Sequence, residues 1–112
     1  MGNLVNDDCL LSLGTVVKIE NLNGDLMIVG RGILESDKNM YDYCAVPCPF
    51  GFSSPNSMII FSSEAIIEVV HEGYTTENDK KLGKLTRNFI NKKVTPEEYF
   101  SKIDKAVEGK DF

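Results

Sequence analysis

The chain has 112 residues, 42% of them hydrophobic and 26% charged, which holds one packed domain and excludes both a pair of ordinary domains and a disordered polymer. A formal net charge of −5 argues against a nucleic-acid or anionic-membrane binder. The charge is uneven. Residues 1–73 carry three basic and ten acidic side chains, a balance of −7, and residues 74–112 carry nine and seven, a balance of +2.

Residues 1–12 read as a tail that becomes ordered near Leu10 and Leu11. Residues 15–20 alternate and are β-branched, so they predict a first strand. Asn23-Gly24 is a hairpin signal, because both residues tolerate positive φ. Residues 25–31 are almost continuously apolar and predict a central return strand, with Gly30 and Gly32 marking a bulge or bend. Residues 35–39 are polar and predict a loop. Residues 41–46 predict a third strand that Pro47 and Pro49 should end, since proline donates nothing to a ladder. Residues 57–61 predict a fourth strand, residues 62–66 a single helical or 3₁₀ turn with a serine cap, and residues 67–71 a fifth strand ended by Gly73.

The last third changes period. Thr75 or Thr76 should cap a helix running to about Lys92, with Leu82, Leu85, Phe89 and Ile90 at helical spacing and Gly83 weakening it. Thr95-Pro96-Glu97-Glu98 is a strong start signal for a second helix, which places Tyr99, Phe100 and Ile103 on one face and ends at Gly109. The short connection predicts an antiparallel helical hairpin. The fold class is therefore α+β in one domain over residues 1–112. A small curled antiparallel sheet or SH3-like barrel of four to five strands occupies residues 10–74, and the helical hairpin occupies residues 75–112. The hairpin should pack on the sheet. Left free, its stripe of Leu82, Leu85, Phe89, Tyr99, Phe100 and Ile103 would be a docking surface for a partner helix.

Nothing in the spacing points to bond-breaking chemistry. The three cysteines, Cys9, Cys44 and Cys48, are an odd count that reads as free thiols, and Cys44 and Cys48 match neither a C-x-x-C nor a zinc pattern. His71 is the one histidine and reads as an edge residue; a Cys–His dyad would need Cys44 or Cys48 brought to it. Gly30-Arg31-Gly32 lacks the rest of a phosphate-binding loop and reads as a turn, with Arg31 pairing internally to Asp42 or Glu64. Lys80, Lys81, Lys84 and Arg87 read as a solvated helix face, the alternative being a contact with an acidic partner. No catalytic residue, metal or cofactor is expected. With neither a basic-plus-apolar leader nor a membrane span in the sequence, a cytoplasmic location is expected.

Four short motifs occur in order: Leu13-Gly14-Thr15-Val16-Val17, Leu26 to Gly32, Tyr41-Asp42-Tyr43, and Glu72-Gly73-Tyr74. On these the chain resembles a family of small domain-of-unknown-function proteins encoded beside type VII secretion (LXG-type) toxin loci of Gram-positive bacteria. The similarity spans residues 10–74, with Leu13 where that family tends to have proline. The resemblance implies a non-catalytic accessory, adaptor or chaperone-like protein, whose partner is the helical N-terminal region of a secreted toxin. On the charge balance neither nucleic acid nor membrane is an expected partner. The alternatives are an immunity protein that neutralises a cognate toxin and a small-ligand-binding domain. The motif residues read mainly as fold residues. Alternation puts Asp42 on the opposite face from Tyr41 and Tyr43, so whichever set faces outward is an expected contact surface.

Overall fold

A computed structural model describes residues 9–34 and 40–107. The alternating and apolar runs become five strands: β1 (Val16–Ile19), β2 (Asp25–Leu34), β3 (Met40–Cys48), β4 (Ile59–Phe61) and β5 (Ile66–His71). They form one antiparallel sheet in the order β4-β3-β2-β1-β5. β4 and β5 are its two edges, so the sheet is open and not the closed barrel that was one of the two expected forms. 3₁₀ turns at Pro55–Ser57 and Ser63–Ala65 flank β4, the second falling where the serine-rich stretch predicts it. Two helices follow, α1 (Glu77–Ile90) and α2 (Pro96–Val107). The expected loop at 35–39 and helix end at Gly109 lie outside the described residues.

The register shows how the core is built. Val17 opposes Leu26, Leu26 opposes Pro47, Ile28 opposes Ala45, and Tyr43 opposes Phe61, so apolar side chains from four strands share one face. Leu10, Val17, Ile28, Tyr43 and Ala45 are almost fully buried there, and Ile90 of α1 packs against them. Leu10 thus belongs to the core, in keeping with the expected ordering near Leu10 and Leu11, and residues 1–8 of the expected tail lie outside the described residues. At about 25 cal/mol per Å² of apolar surface removed from water, each such aliphatic side chain contributes about 1.5–3 kcal/mol.

Two local expectations are corrected. Pro47 lies within β3, paired with Leu26. Its carbonyl accepts from the Gly51 N–H at 2.6 Å, on the side away from β2, so the missing proline N–H takes nothing from that ladder. The hairpin between β1 and β2 also differs. Positive φ falls at Asn21 (64°) and Gly24 (98°) rather than at Asn23 and Gly24, which makes a longer connection than a two-residue turn.

The glycine signal in β2 holds. A register shift between Ile28 and Gly30 leaves Val29 as the extra residue, 40% exposed. The bulge turns Arg31 to the same face as Tyr43, its cross-strand neighbour. β5 carries two further irregularities, which leave Ile67 and Val70 without partners on β1. Both side chains are exposed, and the bulges spoil that edge as a template for another strand.

The helices start where the sequence says. Thr76 accepts from the Asp79 N–H at 3.0 Å, and Thr95 accepts from the Glu98 N–H at 3.1 Å. Gly83 is more than a weak point in α1. A Cβ there would sit 2.8 Å from Cys9 Sγ and 3.1 Å from the Leu10 carbonyl, so the glycine lets residues 9–12 pass between helix and sheet. The helical pair packs on the sheet through α1, which lies against β2 and β3.

Candidate interaction surface

α1 is held to the sheet by two buried ion pairs of opposite sense. Arg31 of β2 reaches Asp79 in the first turn of α1 (3.1 Å), and Asp42 of β3 reaches Arg87 in the last (2.9 Å). The carboxylate sits near the helix's positive end and the guanidinium near its negative end, which the dipole favours. Side-chain exposure is 5% for Arg31 and 8% for Asp42. Arg31 therefore pairs with Asp79, not with Asp42 or Glu64 as expected, because the bulge points it toward the start of α1. Arg87 likewise leaves the solvated set. Its two terminal nitrogens bond Asp42 and the Ser63 hydroxyl, while its Nε is buried without a partner. The second Asp42 oxygen accepts from the Ser63 N–H at 2.6 Å.

Residues 9–15 are held by the same machinery. The Tyr43 hydroxyl accepts from the Leu11 N–H (2.9 Å), and Arg31 donates to the Leu11 carbonyl (3.3 Å). Thr15 bonds the Gly73 N–H (3.0 Å) and the Ser12 hydroxyl (3.1 Å), joining the entry to β1 with the exit from β5. Burial pushes the Tyr43 phenol above its ordinary value of 10.0. The neutral phenol thus favours the folded state, a contribution complete below pH 10.0 and lost as pH rises through the folded value. The midpoint of urea unfolding should fall as pH rises above about 10, and Tyr43→Phe should flatten that limb.

These contacts correct the expected surface on β3. Asp42 and Tyr43 are both buried, at 5% and 0% exposure, so neither alternating set faces outward as a whole. Tyr41 is half-buried. β3 lies inside the sheet, and α1 and the turn at Ser63–Ala65 close over Asp42, so both faces are covered there. Among the motif residues Tyr74 is the most exposed, at 85%, and Leu13, Val29 and Glu72 are exposed as well.

The helical stripe is divided. Phe89 and Tyr99 stack, with centroids 4.3 Å apart and planes 6° from parallel, and Phe100 meets them edge-on at 5.9 and 5.2 Å. Tyr99 is buried and exchanges a 3.0 Å hydrogen bond with Thr86. Leu82, Leu85, Phe89 and Ile103 are half-buried, and Phe100 stays 54% exposed. Where the stripe meets the sheet, a groove of about 470 Å³ opens between the end of the β2–β3 hairpin and the α1–α2 turn. It is lined by the apolar Leu34, Met40, Phe89, Val94 and Pro96 together with Lys92, Lys93 and Thr95. Of these, sequence reasoning found only Phe89. Nothing in the sequence singled out Leu34, because the expected strand ended at Arg31 and β2 runs three residues further.

The polar candidates do not assemble. Cys44 lies on β3 and His71 on β5, with β2 and β1 between them, so three strand spacings of about 4.8 Å hold them roughly 14 Å apart. Cys48 is on the same strand as Cys44. Burial pushes the Cys44 thiol up, away from the nucleophilic thiolate. Among the described residues the cysteines are free, and no three His, Cys, Asp or Glu side chains gather as a metal set. No described helix is long and apolar enough to cross a membrane.

A family model described as a domain of unknown function (DUF4176) matches residues 10–82. The chain belongs to that family. The match takes in the whole sheet and runs into α1. It thus contains both residues of the Arg31–Asp79 pair and stops short of Arg87 and α2. No curated protein and no solved structure matches the chain.

Proposed function

We propose that this chain is a non-catalytic, cytoplasmic adaptor or chaperone-like protein that docks a protein partner on its helical pair. The partner is the helical N-terminal region of a toxin exported by a type VII secretion system. The observation that carries the reading is the apolar groove of Leu34, Met40, Phe89, Val94 and Pro96, continuous in sequence with an exposed Phe100. Such a groove accepts the apolar side of an amphipathic helix. The motif series supplies the secretion context. Two ion pairs tie α1 to the sheet, and a surface offered preformed in this way lowers the ordering cost of binding.

The test is co-expression of the tagged chain with toxin genes from its own locus. Leu34 is 58% exposed, so Leu34→Glu leaves the fold intact and places a charge on the groove. Capture of the toxin's N-terminal region by the wild-type chain, weakened roughly tenfold or more by Leu34→Glu, is the expected result. Capture of nothing from the locus would sink the reading. Self-intoxication on deletion of the gene, with export intact, would instead favour immunity.

A further inference from the structure

A second hollow, of about 270 Å³, lies between the two helices and is lined by Lys81, Lys84, Leu85 and Lys102. Three cations from two helices surround one half-buried leucine, and all three lysines are exposed. Lys80 stands one turn before Lys84, adding a like charge at i,i+4, an arrangement that disfavours the isolated helix. Among the described residues the ion pairs are Lys18–Asp25, Arg31–Asp79 and Asp42–Arg87, and none involves these lysines. Glu77 lies one turn before Lys81 and Glu98 one turn before Lys102, on the same helix faces, but neither closes an ion pair, and Glu98 instead accepts from the Thr95 hydroxyl at 3.2 Å. Asp104 is two residues, about 200° of helix, from Lys102. In a chain of net charge −5, this is a local cationic site with an apolar floor.

We propose that this hollow docks an acidic amphipathic helix of the protein partner, its carboxylates meeting Lys81, Lys84 and Lys102 and an apolar side chain resting on Leu85. The inference deepens the adaptor reading above and rests on it. Charge complementarity selects an acidic occupant. The leucine floor selects a peptide over a free anion, which gains nothing from apolar contact. The net negative charge repels a polyanion such as nucleic acid at long range. The groove between two packed helices is also the place where the ridge of a third helix seats.

Backbone amide shifts of the full-length chain, followed by NMR, give the test. The probes are a synthetic helical peptide with glutamates flanking leucine, its lysine-for-glutamate counterpart, inorganic phosphate and a single-stranded oligonucleotide. The acidic peptide should give saturable shifts at residues 81–85 and 102–103. Its affinity should fall roughly tenfold as salt rises from about 0.05 to about 0.5 M, and similarly in the triple variant K81E/K84E/K102E. The lysine peptide should bind the triple variant and not the wild type. Equal shifts from phosphate or the oligonucleotide would make this a general anion surface and overturn the inference. So would unchanged peptide binding by the triple variant. If the triple variant still captures the locus-encoded toxin while Leu34→Glu does not, docking lies in the apolar groove alone, and the adaptor reading survives without this site.

Discussion

Replacing Arg87 with leucine should destabilise the fold by about 3–5 kcal/mol, because it strands the buried Asp42 carboxylate. That carboxylate has two partners, Arg87 and the Ser63 N–H, and the change leaves it only the second. A single-domain chain has a total stability of about 5–15 kcal/mol, so the loss is a large share. The cost comes from the orphaned charge and not from the intrinsic value of the pair. Asp42→Leu combined with Arg87→Leu should therefore recover a good part of it, since neither charge is then left behind. Guanidinium unfolding of the two single variants and the double variant measures this directly. An Arg87→Leu protein within about 0.5 kcal/mol of wild type would show that water reaches Asp42 and that the pair behaves as a surface one.

Gly73→Ala should cost about 3 kcal/mol, the upper end of what overpacking does. The new Cβ would lie 2.3 Å from the Leu13 carbonyl oxygen, 2.7 Å from the Thr15 nitrogen and 2.8 Å from the Gly14 carbonyl carbon. All three are backbone atoms, so no side-chain rotation relieves the contact. The segment must move, and with it the Thr15 hydroxyl that bonds the Gly73 N–H. Gly51→Ala is the matched control. It has φ of 76° but nothing within 4 Å of its Cβ, so it should lose only the backbone preference, about 1–2 kcal/mol. Thermal unfolding of the two variants should separate them clearly. Equal shifts would mean that residues 13–15 yield easily and that the close approach is not a constraint.

The parts of the fold that were legible in the sequence are those set by local rules. The β-branched alternation before Glu20, the threonine caps at positions 76 and 95 and the glycine bulge in β2 each depend on a few neighbouring residues. What was not legible depends on which surfaces meet. Arg87 follows Lys84 by three residues and reads as one more solvated cation, and only the arrival of Asp42 from β3 makes it buried. Asp42 and Tyr43 follow the alternation rule, but that rule locates an exposed face only when one side of the strand is open. Pro47 ends a strand only if its nitrogen faces a ladder, and the Gly51 contact shows that it does not. The candidate surface divides the same way. Phe89 and Phe100 announce themselves by helical spacing, whereas Leu34 and Met40 come from a hairpin more than forty residues earlier and join the groove only after α1 docks.

The central claim is that the sheet holds α1 rigidly so that the outer side of the helical pair can receive a partner. Hydrogen–deuterium exchange of the full chain, alone and with the toxin region it captures, tests this most directly. New protection around Leu34 and Met40 and across the α1–α2 turn, with β4 and β5 unchanged, is the predicted footprint. Protection confined to β4, β5 or the loop carrying Phe50 and Phe52 would contradict the claim and move the working surface to the other side of the molecule.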